Sequence, residues 1–169
     1  MNGMRNLGGC KTMHIFLVLA LYFLITGCAS VLSYKGRNVP AGNRTALQDG
    51  EVSGSWQTRD LTVIYRYLRD RDRLKIEGRV NFSDYLRYVF HSMDYFHLGV
   101  LLLSADGTVL GTKGLATGQT SDRTREAMRF DDLINLPDGA TSMAFYYTGQ
   151  ARATGSQGGG TTELWHYPF

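Results

Sequence analysis

The 169-residue chain holds two cysteines, Cys10 and Cys28. Cys10 lies in an amino-terminal segment that reads as a removable signal, so the mature chain has no intramolecular disulfide and must be held by its core. Charge of one sign is also scarce. The formal charge of +3 falls to about +1 when Arg5 and Lys11 leave with the signal, with sixteen basic side chains against fifteen acidic ones. That balance offers no electrostatic footing for nucleic acid. A membrane-spanning run is missing too. Ile15 to Ile25, IFLVLALYFLI, is uncharged, but it reaches little more than half the roughly 20 residues that a spanning helix needs. Two catalytic signatures fail in turn. There is no Gly-x-Ser-x-Gly elbow, and Gly155-Ser156-Gln157-Gly158-Gly159-Gly160 lacks the Lys-Ser/Thr pair of a phosphate-binding loop.

What is present suffices for one globular domain: 43% hydrophobic residues, 20% charged residues and ten tyrosines. Ahead of it, Met1 to His14 is short and polar with Arg5 and Lys11, and the uncharged run follows, as in the n-region and h-region of a secretory signal. The run ends in Ile25-Thr26-Gly27-Cys28. This tetrapeptide resembles the lipobox of bacterial lipoproteins, in an aliphatic residue, two small residues and then cysteine. The resemblance implies that Cys28 takes a diacylglyceryl group, that signal peptidase II recognises Ile25, Thr26 and Gly27 and cuts before Cys28, and that residues 1–27 are removed. Several acyl chains make such anchoring durable, at about 0.8 kcal/mol per buried methylene. Ala29 and Ser30 stand where an aspartate would favour inner-membrane retention, which implies an outer-membrane protein facing the periplasm in a Gram-negative source. Ordinary secretory cleavage near Ala29-Ser30, with Cys28 incidental, is the alternative.

Residues 28–50 are polar and broken by Gly36, Pro40, Gly42 and Gly50, which predicts a flexible tether with a reach of roughly 25 Å. A β-sandwich domain is expected over 51–169. Leu61, Val63, Tyr65 and Tyr67 alternate with Thr62, Ile64 and Arg66, and Leu74, Ile76, Gly78 and Val80 alternate with Lys75, Glu77 and Arg79; Arg69 to Asp72 reads as the turn between these two strands. Phe96 to Leu115 reads as a hairpin closed by Asp106-Gly107, with Leu101 to Leu103 covered on both faces. Met128 to Ile134, Thr141 to Thr148 and Thr162 to Tyr167 complete the strands, and Trp56 and Trp165 suit the core or its rim. Ser83 to Met93 reads either as a short helix capped by Ser83, with Leu86, Val89, Phe90 and Met93 at helical spacing, or as a strand crossing between sheets. Leu136-Pro137-Asp138-Gly139 and the strand after it resemble the corner of immunoglobulin-like and fibronectin-like sandwiches, which implies a structural role for Tyr146 or Tyr147. The expected fold is mainly β, an antiparallel immunoglobulin-like sandwich of seven or eight strands.

Sites are fewer. His91, Asp94 and His97 are spaced three apart, but metal sites on a helix favour i, i+4 pairs, so no metal or other cofactor is expected. The basic stretch Arg66, Arg69, Arg71, Arg73, Lys75 and Arg79 is interleaved with Asp70, Asp72 and Glu77, the pattern of a solvated hairpin with weak ion pairs. Its functional reading is an anion-docking surface. Tyr85, Tyr88 and Phe90, with Arg71 and Arg73, are the candidate binding surface, and sealing a sandwich edge is the structural reading of those aromatics. No catalytic residue emerges and no enzyme is expected. The expected role is that of a binding or structural accessory component of the envelope, with the membrane and an envelope protein as partners. Binding of a glycan or anionic lipid is the alternative.

Overall fold

The period-2 alternation that begins at Leu61 is the pattern on which the fold is built. In the computed structural model, which describes residues 34–90, 92–120, 127–153 and 159–169, Leu61, Val63, Tyr65 and Tyr67 are buried while Ile64, Arg66 and Leu68 face outward. Leu74, Ile76 and Val80 repeat the pattern on the next strand. The strands are β1 (Thr45–Ala46), β2 (Gly50–Gln57), β3 (Leu61–Asp70), β4 (Arg73–Phe82), β5 (Ser92–Leu103), β6 (Val109–Thr120), β7 (Met128–Asn135), β8 (Ser142–Arg152) and β9 (Thr161–His166), with one helix, α1 (Asp84–Val89), between β4 and β5.

Two antiparallel sheets result. One has the order β2-β3-β4-β7; in the other β8 pairs β5, β5 pairs β6, and the opposite side of β8 is shared by β1 and β9. Thus β3, β4 and β7 stand where strands A, B and E stand in an immunoglobulin-like sandwich, and β5, β6, β8 and β9 where C, C′, F and G stand. The fold is the expected sandwich. The strands beyond the expected seven or eight are β1, two residues long, and β2, whose sequence GEVSGSWQ has small or polar residues at most positions and so little apolar alternation. Between the sheets the core packs Tyr67, Leu74, Ile76, Val80, Phe96, Leu98, Val100, Met143 and Tyr147, all nearly solvent-free, each large side chain contributing about 1.5–3 kcal/mol by its burial.

The segment before β2 corrects the expectation of a free tether through residue 50. From Tyr34 onward it belongs to the same compact unit as the strands: Tyr34 and Val39 lie on the outer face of the five-stranded sheet, β1 joins that sheet beside β8, and Leu47 is buried in the main core. Val39 is fully buried with Leu101, Leu103, Val109, Ala144 and Tyr146 in a second, smaller core. This is why Leu101 to Leu103 are apolar without alternation: each face of β5 is covered. Arg44 fastens the segment by donating to the Val39 carbonyl at 2.6 Å and the Asp106 carbonyl at 2.7 Å. The docking was hidden in sequence because its apolar anchors, Tyr34, Val39 and Leu47, are isolated and follow no strand or helix period.

Both readings of Ser83 to Met93 apply, to different halves. Ser83 caps α1 by accepting from the Leu86 amide, and the helix ends where Phe90 turns extended. Met93 is already in β5. Trp56 packs on the core and stacks against Phe145, whereas Trp165 is exposed. At the hairpin between β5 and β6, Gly107 takes φ 92°, a conformation that side-chain-bearing residues rarely adopt.

Candidate functional site

Two polar constellations stand out from the apolar body of the sandwich. The first is at the turn between β2 and β3, where Thr58 Oγ1 accepts from the amides of Asp60 and Leu61. That turn pushes the Asp60 carboxylate into the protein, where it is nearly solvent-free. Tyr147 donates its hydroxyl to Asp60 Oδ2 at 2.8 Å, and Arg59 donates to Oδ1 at 2.9 Å from an exposed position. Burial, with the adjacent carboxylate adding to it, pushes the Tyr147 hydroxyl up to about 12. The ring of His166 stacks on Tyr147, and its pKa is lowered by burial. Asp60 also accepts from the Ser83 amide through its carbonyl at 2.8 Å. These bonds tie the β2–β3 turn, α1 and β8 together. The cluster is a clasp between the sheets, and its partners are protein groups.

The second constellation is open to solvent. On the outer face of the four-stranded sheet an open concavity of about 770 Å³ lies over β2, β3, β4 and β7. Gly78 lines it, and a Cβ there would run into the Ile64 carbonyl oxygen and the Phe130 ring. Two side-chain rows cross it. In one, Ser53, Arg66, Glu77 and Asp131 follow one another across the strands; in the next, Ser55, Ile64, Arg79 and Arg129 do. The charges of the first row are paired within the sheet. Arg66 pairs with Glu77 and, at 3.1 Å, with Glu51, and Lys75 lies 3.9 Å from Glu77 and 3.8 Å from Asp131. The second row is different. Arg79 and Arg129 are direct cross-strand partners, both exposed, and among the described residues neither has an acidic partner.

Compared with known proteins, the chain matches no family model, no curated protein and no solved structure.

Sequence-predicted residues are scattered over this framework. Tyr85 and Tyr88 are exposed on α1, but Phe90 is buried against the core and meets Tyr85 edge to face. Phe90 is therefore an anchor of the helix and leaves the candidate surface. Arg71 and Arg73 are at the tip of the β3–β4 hairpin, whereas α1 follows the far end of β4; ten residues of strand, about 33 Å at 3.3 Å each, separate them. The aromatics and the two arginines do not form one site. Asp94 pairs with Arg152 at 2.7 Å, and His97 lies 3.3 Å from the Tyr146 hydroxyl. Neither Tyr146 nor Tyr147 bonds to the corner at Leu136 to Gly139: their hydroxyls reach His97 and Asp60 instead. Among the described residues no three His, Cys, Asp or Glu side chains gather as metal ligands. Ile25, Thr26, Gly27, Cys28 and His91, and the glycine-rich loop over 154–158, lie outside the described residues.

In the basic stretch Arg66, Arg69 and Lys75 are matched by carboxylates, whereas Arg71, Arg73 and Arg79 have no ion pair among the described residues. What sequence reasoning missed is that strand pairing brings Arg129 beside Arg79. Fifty residues separate them in sequence, and only the register of β4 against β7 makes them neighbours.

Proposed function

We propose that the protein is a membrane-anchored lipoprotein of the cell envelope whose sandwich works by binding, as an accessory component, and not by catalysis. The observation that carries the anchor is Cys28 itself, at the end of an uncharged run behind a basic amino terminus and preceded by Ile25-Thr26-Gly27.

A binding role is favoured by the concave outer face of the four-stranded sheet, which carries several charges over an open 770 Å³ recess. The ligand-binding reading moves there from the aromatic helix, because Phe90 is buried and Arg71 and Arg73 are remote from α1. Metabolic labelling with palmitate tests the anchor. Wild type should incorporate label and sediment with membranes, while Cys28→Ser should lose the label and accumulate unprocessed. Label retained by the Ser variant would overturn the lipoprotein reading. Crosslinking from intact envelopes tests the accessory role: a reproducible partner captured through probes on the outer face of β4 and β7 is expected, and capture through any surface residue alike would refute it.

A further inference from the structure

We propose that Arg79 and Arg129 form a binding site for a doubly charged tetrahedral oxyanion of the phosphate class. The inference holds whether or not Cys28 is acylated. Residues directly opposite on antiparallel strands place their Cβ atoms about 4.5–5.5 Å apart, and like charges so placed repel. Here both side chains are guanidiniums, each with five N–H donors and no acceptor. The two other basic groups nearby, Arg66 and Lys75, are met by three carboxylates, Glu51, Glu77 and Asp131. The Arg79–Arg129 pair has no ion pair among the described residues, and it borders the open concavity.

The chemistry of the pair selects its ligand. One carboxylate would cancel only one of the two charges, whereas a phosphate dianion cancels both and offers enough acceptor oxygens for two guanidinium forks. Glu77 and Asp131 occupy the neighbouring row on the same strands, so an anion is pushed toward the opposite side. There Asn81 and Thr62, a cross-strand pair on the same face of the sheet, present neutral polar groups. Ile64, between Ser55 and Arg79 in the row, contributes an apolar wall that strengthens the charge interaction by excluding water. The anion is either free in solution or esterified to a sugar, and the same two arginines would hold it in both cases.

The site makes two linked predictions, one for the empty protein and one for the bound. Thermal unfolding of the full chain in detergent should be followed with chloride, inorganic phosphate or glucose 6-phosphate at matched ionic strength. Wild type should gain a few degrees in Tm with either phosphate. Arg79→Gln and Arg129→Gln should each begin about 1–2 °C above wild type in chloride, because the repulsion is gone, and should lose the phosphate response. Arg152→Gln, on the other sheet and paired with Asp94, should keep it. A larger response to glucose 6-phosphate than to phosphate assigns the site to a sugar ester, and equal responses assign it to the free ion. The proposal is overturned if wild type does not respond, or if either Gln variant responds as wild type does.

Discussion

Replacing Tyr147 by phenylalanine removes one oxygen from the clasp between the sheets, and its cost follows from what that oxygen does. The hydroxyl donates at 2.8 Å to the buried Asp60 carboxylate. Hydrogen bonds to charged groups contribute about 1.5–3 kcal/mol when buried. Arg59 still holds Oδ1 in the variant, so the carboxylate is not orphaned and a loss of about 2 kcal/mol is expected. For a domain the size of Tyr34–Phe169 that lowers Tm by about 7 °C. Urea unfolding of the full chain should show a lower midpoint with an unchanged m-value. Asp60→Asn should cost a similar amount, and the double variant should cost clearly less than the two together, with a coupling of at least 1 kcal/mol. The pH dependence has a defined sign. The folded-state pKa of Tyr147 is raised from 10.0 to about 12, so the stability it adds is complete below pH 10 and is lost as pH rises through 12. The gap between wild type and Tyr147→Phe should close over that window. Additive single variants, within about 0.5 kcal/mol, would refute the clasp.

Arg44→Ala should free the segment before β1 from the β5–β6 hairpin, since Arg44 donates to the Val39, Ala105 and Asp106 carbonyls; hydrogen exchange at the Val39 amide, which bonds the Gly107 carbonyl, should accelerate by about tenfold for each 1.4 kcal/mol lost. His166, whose pKa is lowered from 6.5 by burial, should make wild type lose stability as pH falls from the ordinary histidine range through its lowered value, with no loss above that range; His166→Asn should flatten the urea midpoints as pH falls below the ordinary histidine range, and an unchanged slope would contradict the assignment. Arg71 holds φ 53° in the two-residue turn between β3 and β4. Arg71→Gly relieves a cost of about 1–2 kcal/mol, part of which is returned as unfolded-chain entropy, so a net gain of about 0.5 kcal/mol is expected by calorimetry.

The sequence by itself determined the strands that have one wet face and one dry face. Leu61 to Tyr67 and Leu74 to Val80 alternate because each residue's side is set by the pleat, and Asp106-Gly107 marks the hairpin because glycine takes the positive φ. The capped start of α1 at Ser83 was equally local. Other features depended on partners distant in sequence, and no local period carries those. The docking of Val39 against Leu101 and Leu103 required the outer face of β5 to exist first. The burial of Phe90 came from the core beneath it, since the same aromatic spacing would serve an exposed helix. Asp60 meets Tyr147 and Arg79 meets Arg129 only because the sheets pack and register as they do. Local chemistry thus set the inward faces of β3 and β4, while tertiary structure decided which polar groups were satisfied and left the Arg79–Arg129 pair open on the surface.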